Sequence, residues 1–196
     1  MNAYERSCRE KGYNNIAGID EAGRGALAGP VVAAAVILPA DCHIAGIDDS
    51  KKLTSNHRSK LYEEISDIAI SVGISTIDNS QIEQLNILQA SLRAMAFAVE
   101  ELTIRPDYLL VDGNRYPDIN IAGQAIIKGD SLSVSIAAAS IMAKVTRDRL
   151  MIAFDRTYPN YGFKDHKGYP TKQHRQAIAE HGPSDIHRKT FRLLSE

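Results

Sequence analysis

The sequence of 196 residues contains no tryptophan, two cysteines and only 6% aromatic residues. Cys8 and Cys42 are too few for a disulfide framework or for a zinc site built from cysteines. No apolar run is long enough to cross a bilayer, and residues 1–12 lack the apolar centre of a secretory signal peptide. These absences lead us to expect a cytoplasmic protein with no membrane attachment.

The residues that are present, 44% apolar and 24% charged, are typical of a soluble globular protein. The length suits one domain with a substantial core. We therefore expect a single domain over residues 1–196. Within it, residues 1–15 form a polar lead-in, and residues 158–196 form a basic loop and a small helical C-terminal segment.

Charge is distributed unevenly along the chain, although the net charge is only −1. Residues 144–196 contain eleven Lys and Arg against six Asp and Glu, together with four of the six histidines. Such asymmetry favours a basic surface that meets a polyanion and an acidic region that holds cations, but chance segregation of solvated charges would give the same counts.

Apolar periodicity predicts strands and helices that alternate along the chain. We expect strands over 16–20, 31–38, 68–77, 108–111 and 125–128, and helices over 55–67, 85–102, 131–156 and 172–182. Residues 23–30 are predicted as a small-residue turn and residues 158–171 as a loop. The alternation predicts an α/β fold, in which a central mixed β-sheet is flanked by α-helices.

Four acidic residues follow predicted strands. Asp20 and Glu21 end the first strand, and Asp112 and Asp130 come after two later ones. Active sites of open sheets lie outside strand ends, so we expect the four to converge. Clustered carboxylates need a compensating cation, and oxygen ligands favour Mg²⁺ or Mn²⁺, two of which can hydrolyse a phosphodiester. The alternative is structural: acid pairs are common in turns, and Asp130 could cap a helix.

The stretch Gly18-Ile19-Asp20-Glu21-Ala22-Gly23-Arg24-Gly25, followed by Leu27-Ala28-Gly29-Pro30, resembles the signature of bacterial ribonuclease HII, the type 2 ribonuclease H family. Further blocks resemble that family in the same order: Asp49-Ser50-Lys51-Lys52-Leu53, Val111-Asp112-Gly113, Lys128-Gly129-Asp130, residues 138–149, His166-Lys167-Gly168-Tyr169 and His187-Arg188. In the sister family, ribonuclease HIII, the last acid is glutamate and an extra N-terminal domain is present. Asp130 and the short lead-in favour the HII branch.

The resemblance implies a ribonuclease H-like fold and an endonuclease that uses two metal ions. Such an enzyme cuts the RNA strand of RNA/DNA hybrids and also cuts duplex DNA at embedded ribonucleotides, leaving 3′-hydroxyl and 5′-phosphate ends. By the same resemblance Asp20, Glu21, Asp112 and Asp130 are the catalytic residues and hold two Mg²⁺ or Mn²⁺ ions with the substrate.

The resemblance also implies a reader of the ribose. The backbone of Gly23, Arg24 and Gly25, together with Tyr169, would contact the 2′-hydroxyl that distinguishes RNA from DNA. Without the family, Tyr169 is better interpreted as a loop aromatic packed on the domain. Basic side chains are candidate contacts to substrate phosphates: Lys51, Lys52, Lys144, Arg147 and Lys167.

The expected partners are RNA/DNA hybrids and DNA duplexes that contain ribonucleotides. We expect a monomer without an obligatory protein partner, because residues 191–196 show no clamp-binding motif. One alternative is a non-catalytic module that binds duplex nucleic acid. Another, a nucleotide-phosphate loop over residues 23–30, lacks both common phosphate-binding glycine patterns.

Overall fold

A computed structural model describes residues 1–40, 42–47 and 53–194. Its strands are β1 Ile16–Ala22, β2 Val31–Ile37, β3 Ser71–Ile77, β4 Tyr108–Asp112 and β5 Gly123–Ile126. They form one sheet in the order β3-β2-β1-β4-β5. The pairs β1–β2 and β2–β3 are antiparallel, whereas β1–β4 and β4–β5 are parallel. The mixed sheet expected from the sequence is therefore present.

The helices are α1 Ala3–Glu10, α2 Ser55–Ile68, α3 Asn79–Leu85, α4 Ile87–Glu100, α5 Val134–Thr157, α6 Phe163–His166 and α7 Lys172–His181. Two 3₁₀ turns, Gly129–Ser131 and Pro159–Tyr161, precede α5 and α6 respectively. No helix among the described residues has the length and apolarity needed to span a membrane.

Strand β2 is completely buried because helices cover both faces of the sheet. Ala33 and Ala35 belong to the core cluster that contains α4, while Ala34 and Val36 belong to the cluster that contains α2 and α5. An all-apolar strand suits this central position, since neither of its faces meets water.

Several predicted boundaries were wrong. The helix predicted over 85–102 is interrupted at Asn86, whose φ of 66° breaks the helical backbone and whose side chain accepts hydrogen bonds from Leu88 and Gln89. Strand β5 ends at Ile126 rather than at 128, and α5 begins only at Val134. Within the polar lead-in lies α1, and the predicted loop 158–171 contains the short helix α6.

A very close approach between a helix and the sheet occurs at Gly18 in β1. A Cβ atom added there would lie 2.0 Å from the carbonyl carbon of Ser135 and 2.3 Å from the amide nitrogen of Ile136. The first half of α5 is rich in alanine and serine, so its backbone can lie directly against that of β1. This contact fixes the position of α5 relative to the end of β1.

We expect Gly18→Ala to destabilise the fold by about 1–3 kcal/mol or more, because the new methyl group must displace the backbone of α5. The free energy of unfolding in urea measures this loss. Gly25→Ala is the matched control: its Cβ meets nothing within 4 Å, so its effect should stay within about 1 kcal/mol. Equal stability of the two variants would contradict this account of the packing.

Candidate active site

A cavity of about 420 Å³ opens where β1 and β4 end. The parallel register pairs Ile19 with Val111, so the next residues, Asp20 and Asp112, lie side by side toward the carboxyl ends of β1 and β4. Acidic, basic, hydroxyl and glycine residues line this cavity: Asp20, Glu21, Gly23, Arg24, Gly25, Asp112, Ser140, Lys144 and Tyr169. Residues far apart in sequence therefore meet there, as the strand-end argument predicted.

Asp20 is the most buried of the acids on the cavity wall, with 4% of its surface exposed. Its Oδ1 accepts a 2.7 Å hydrogen bond from the backbone N–H of Glu21, and Ser140 also bonds to its side chain. Burial, followed by the negative charges of Glu21 and Asp112, raises the pKa of Asp20 well above its ordinary value. A nearby cation would relieve this crowding.

A carboxylate oxygen of Glu21 and one of Asp112 each accept a hydrogen bond from a described residue. Glu21 accepts a hydrogen bond from Arg24 at 3.1 Å, and although burial raises the pKa of Glu21, the charge of Arg24 partly opposes this. The N–H of Gly129 donates to Asp112 at 2.7 Å. Both contacts orient a carboxylate at the cavity.

Asp130 lies beside the cavity rather than on its wall. It is buried, with 5% exposed, in the 3₁₀ turn whose first residue, Gly129, holds Asp112. It follows the end of β5 by four residues, so it is not at a strand end as predicted. The alternative that Asp130 caps the long helix is also wrong, because Ser133 caps α5 by accepting a bond from Ile136.

The donor set suits a hard divalent cation. Asp20, Glu21 and Asp112 supply only oxygen ligands, and Asp20 and Glu21 have raised pKa values that a positive ion would lower. Among the residues that the structure describes, no three His, Cys, Asp or Glu side chains already form a ready-made metal cluster. The carboxylates therefore stand apart, which is consistent with their mutual repulsion and with the contact of Arg24 with Glu21.

The predicted phosphate contacts separate into different environments. Lys144 lies on the cavity wall, paired with Asp148 at 2.7 Å, and its ammonium is 5.4 Å from the Tyr169 ring. Lys167 is half-buried, and its ammonium bonds to the carbonyl of Lys164. Lys51 and Lys52 lie outside the described residues.

Arg147, however, is not a surface phosphate contact, and that prediction was wrong. It is fully buried and donates hydrogen bonds to the carbonyl oxygens of Pro30, Ala28 and Lys167 at 2.9 to 3.1 Å. Its position on α5 turns it into the protein, where backbone oxygens of two loops replace water as its partners.

Two other functional neighbours were missed by sequence reasoning. Ser140, which bonds to Asp20, was read only as one of several small packing residues of α5. Arg188 is buried against residues 24–29. A hydroxyl or guanidinium that bonds to a distant segment has no local sequence signal, apart from the family block His187-Arg188.

Three buried histidines support the loop that carries Tyr169. His174 Nδ1 lies 3.0 Å from the carbonyl of Tyr169, so that nitrogen must carry a proton. His174 Nε2 is then the acceptor for His187 Nε2 at 3.0 Å, because His187 Nδ1 accepts from the N–H of Ser184. His166 stacks on His174 at 4.4 Å and accepts from the N–H of Gly168. All three rings are neutral in this arrangement.

Burial lowers the pKa of both His174 and His187 to about 4. Histidine in the unfolded chain titrates near pH 6.5, so the stabilisation from the neutral pair is complete above that pH and is lost as the pH falls toward about 4.

We expect NMR titration to show both imidazoles neutral down to about pH 4, with the Tyr169 amide signal shifting as they protonate. Titration near pH 6.5 would contradict the buried network.

Comparison with solved structures defines the class. Ribonuclease H2 from Pyrococcus horikoshii OT3 superposes with a TM-score of 0.77 at 26% identity, covering 91% of this chain and 94% of that one. A ribonuclease HIII, Bst-RNase HIII, whose structure was solved in complex with Mn²⁺, matches with a TM-score of 0.71 at 20% identity, over 95% of this chain and 70% of that one. The fold is that of ribonuclease H, as the sequence resemblance implied.

Sequence comparison defines the family. The family model described as Ribonuclease HII matches residues 17–194. The ribonuclease HII of Geobacter sulfurreducens is 57% identical over 193 residues, which span 98% of this chain and 89% of that protein. The chain belongs to the ribonuclease HII family. It is a ribonuclease H enzyme, an endonuclease that acts on RNA/DNA hybrids, and the predicted family, fold and enzyme class are confirmed.

Proposed function

We propose that this endonuclease also cuts duplex DNA at single embedded ribonucleotides, and that the cavity at the ends of β1 and β4 is its active site. One observation carries the proposal: the carboxylates of Asp20, Glu21 and Asp112 line the same cavity as the glycine-flanked Arg24 and Tyr169. Groups suited to a metal and groups suited to a ribose thus stand within one nucleotide-sized space.

Asp20, Glu21 and Asp112 would hold two Mg²⁺ or Mn²⁺ ions with the substrate, with Asp130 as the fourth ligand. When bound, the ions would activate a water and stabilise the leaving 3′-oxygen, giving 3′-hydroxyl and 5′-phosphate ends. The contact of Gly129 with Asp112 links Asp130 to the same site. The Mn²⁺ complex of the ribonuclease HIII of the same fold agrees with an ion of this class.

The backbone of residues 23–25 would contact the ribose. Arg24 and Gly25 are exposed, and no N–H of residues 23–25 donates a hydrogen bond to any other residue that the structure describes. Gly25 lines the cavity, and a Cβ added there would meet nothing within 4 Å. Free N–H groups and the absence of a side chain would let a sugar hydroxyl approach the backbone.

Tyr169 would pack its ring against the sugar or base next to that ribose. Its ring is part of the cavity wall, with Lys144 and Arg147 at 5.4 Å and 5.3 Å. Lys144 and Lys167, with Lys51 and Lys52, would contact phosphates and set the register of the duplex without reading its sequence.

We expect Asp20→Asn to lower cleavage of an RNA/DNA hybrid by at least about 100-fold. Residues that only hydrogen-bond to metal ligands commonly contribute about 10–100-fold to activity, and a ligand itself should contribute at least as much. The same change removes a buried charge of raised pKa, so the thermal unfolding temperature should stay level or rise. Gel assays with Mg²⁺ or Mn²⁺ and thermal unfolding measure the two quantities. Unchanged cleavage would instead favour the non-catalytic duplex-binding alternative.

For ribose recognition, we expect Tyr169→Ala to lower cleavage at a single embedded ribonucleotide by about tenfold or more, since a stacked aromatic contributes roughly 1–3 kcal/mol. We expect a loss of about the same size from Gly25→Ala, because a side chain at that position would keep the sugar away from the backbone. Tyr169→Phe, which keeps the ring, is the control for the stacking contribution. The cut is mapped to the nucleotide on a DNA duplex with one ribonucleotide. If both alanine variants cut at the wild-type rate, residues 23–25 and Tyr169 do not read the ribose.

A further inference from the structure

The carbonyl oxygens of the glycine-rich loop, residues 23–30, are turned toward one buried side chain. Arg188 has no exposed surface, and its guanidinium donates to the carbonyls of Arg24 at 3.0 Å, Ala26 at 2.9 Å and Gly29 at 2.8 and 3.0 Å. Its own N–H donates to Leu27 at 2.8 Å. Four of its five side-chain N–H groups are thus used on one loop.

A second buried arginine takes the remaining carbonyls of the loop's far end. Arg147 donates to Ala28 and Pro30, and it also donates to Lys167, two residues before Tyr169. Its guanidinium carbon lies 5.3 Å from the centre of the Tyr169 ring. The arginine pair, Arg147 and Arg188, therefore joins the glycine-rich loop to the loop that carries Tyr169.

The glycines of this region fit around the pair. A Cβ at Gly23 would lie 2.1 Å from Nε of Arg147, and one at Gly168 would lie 2.6 Å from the carbonyl oxygen of Ala28. Leu27 also donates to the carbonyl of Gly168 at 2.8 Å. The two loops are thus in direct backbone contact, and the arginines fill the space beneath them.

Burying two guanidinium groups together is unfavourable for folding. Neither Arg147 nor Arg188 forms an ion pair with a described residue, and burial together with the charge of Arg147 lowers the pKa of Arg188 to about 9. An apolar filling would cost less desolvation but could not bind so many carbonyls at fixed angles. Holding the loop backbone in one shape accounts for keeping the charges.

We infer that Arg147 and Arg188 are positioning residues that set the separation between the backbone of residues 23–25 and the Tyr169 ring, and so determine how well a ribonucleotide is distinguished from a deoxyribonucleotide. This inference rests on the proposed role of those two elements in ribose recognition. With its carbonyls held inward, the loop keeps the N–H groups of residues 23–25 unbonded to any residue that the structure describes, so they could donate to the sugar. Neither arginine touches the substrate.

The test is a double-mutant cycle between Arg188→Lys and Tyr169→Ala. Lysine keeps the charge, but its single ammonium cannot reach the carbonyls of Arg24, Ala26 and Gly29 together. On a duplex with one ribonucleotide we expect Arg188→Lys to lower kcat by about tenfold or more, with KM within about twofold. In the Tyr169→Ala background the further loss should shrink below about threefold, because the ribose is then already unconstrained.

A variant that only weakens the fold provides the matched control. Val99→Ala truncates a buried side chain of α4, which is part of neither loop, and its effect on kcat should be the same with and without Tyr169. All rates are measured well below each variant's unfolding temperature. Arg147→Lys, which alters the contacts to Ala28, Pro30 and Lys167, repeats the cycle if Arg188→Lys does not fold.

The possible outcomes are distinct. Equal losses in the wild-type and Tyr169→Ala backgrounds, as for Val99→Ala, would overturn the positioning role of the arginine pair. A wild-type kcat in folded Arg188→Lys and Arg147→Lys would overturn it as well. If Gly25→Ala and Tyr169→Ala are themselves fully active, the proposed ribose recognition fails first, independently of either arginine.

Discussion

The backbone contact between β1 and α5 at Gly18 determines the geometry of the whole site. Because no side chain separates the two elements there, α5 runs along β1 at a fixed distance. Ser140, Lys144 and Arg147 follow one another at intervals of four and three residues, so they share the face of α5 that passes the end of β1. Ser140 thereby reaches Asp20, Lys144 reaches the cavity wall, and Arg147 passes beneath the loops beyond it. One close helix–strand contact thus places a hydroxyl, an ammonium and a guanidinium around the end of the central strand.

Negative and positive side chains lie on different sides of the cavity, an arrangement that suits a polyanionic substrate. The carboxylates of Asp20, Glu21 and Asp112 line one wall of the cavity, where burial, followed by the negative charges of Glu21 and Asp112, raises the pKa of Asp20. On the other side, the charges of Arg147 and Arg188 are bound to carbonyl oxygens rather than to acids. The acids and the buried arginines therefore do not neutralise each other. The buried arginines hold the loop between the two sets through its carbonyl oxygens, and the loop itself contacts the acids through the hydrogen bond from Arg24 to Glu21.

The sequence predicted the parts of the fold that depend on local pattern. Alternating apolar runs located the sheet, and Asp20 and Asp112 at strand ends predicted the position of the cavity, since parallel strands end at one edge. Local pattern failed where a distant contact decides the outcome. Asn86 interrupts a continuous apolar stripe by adopting a positive φ, and α1 is anchored by Glu5, which accepts a bond from Ser133 128 residues later. Arg147 was misassigned for the same reason, because a charged residue on a helix is ordinarily solvated and two of its three carbonyl partners, Ala28 and Pro30, lie more than 100 residues earlier.

The two glycines that flank Arg24 show how structure separates roles that a shared motif combines. Gly23 has a φ of 100°, and a Cβ there would collide with Arg147, so this glycine is required for the loop to fold over the arginine pair. Gly25 meets nothing within 4 Å, so the fold itself places no steric demand for glycine at that position. Glycine at 25 is accounted for by the proposed function, in which a ribose would approach the backbone closely. The fold therefore gives a steric reason for glycine at position 23 and none at position 25, although both residues line the cavity.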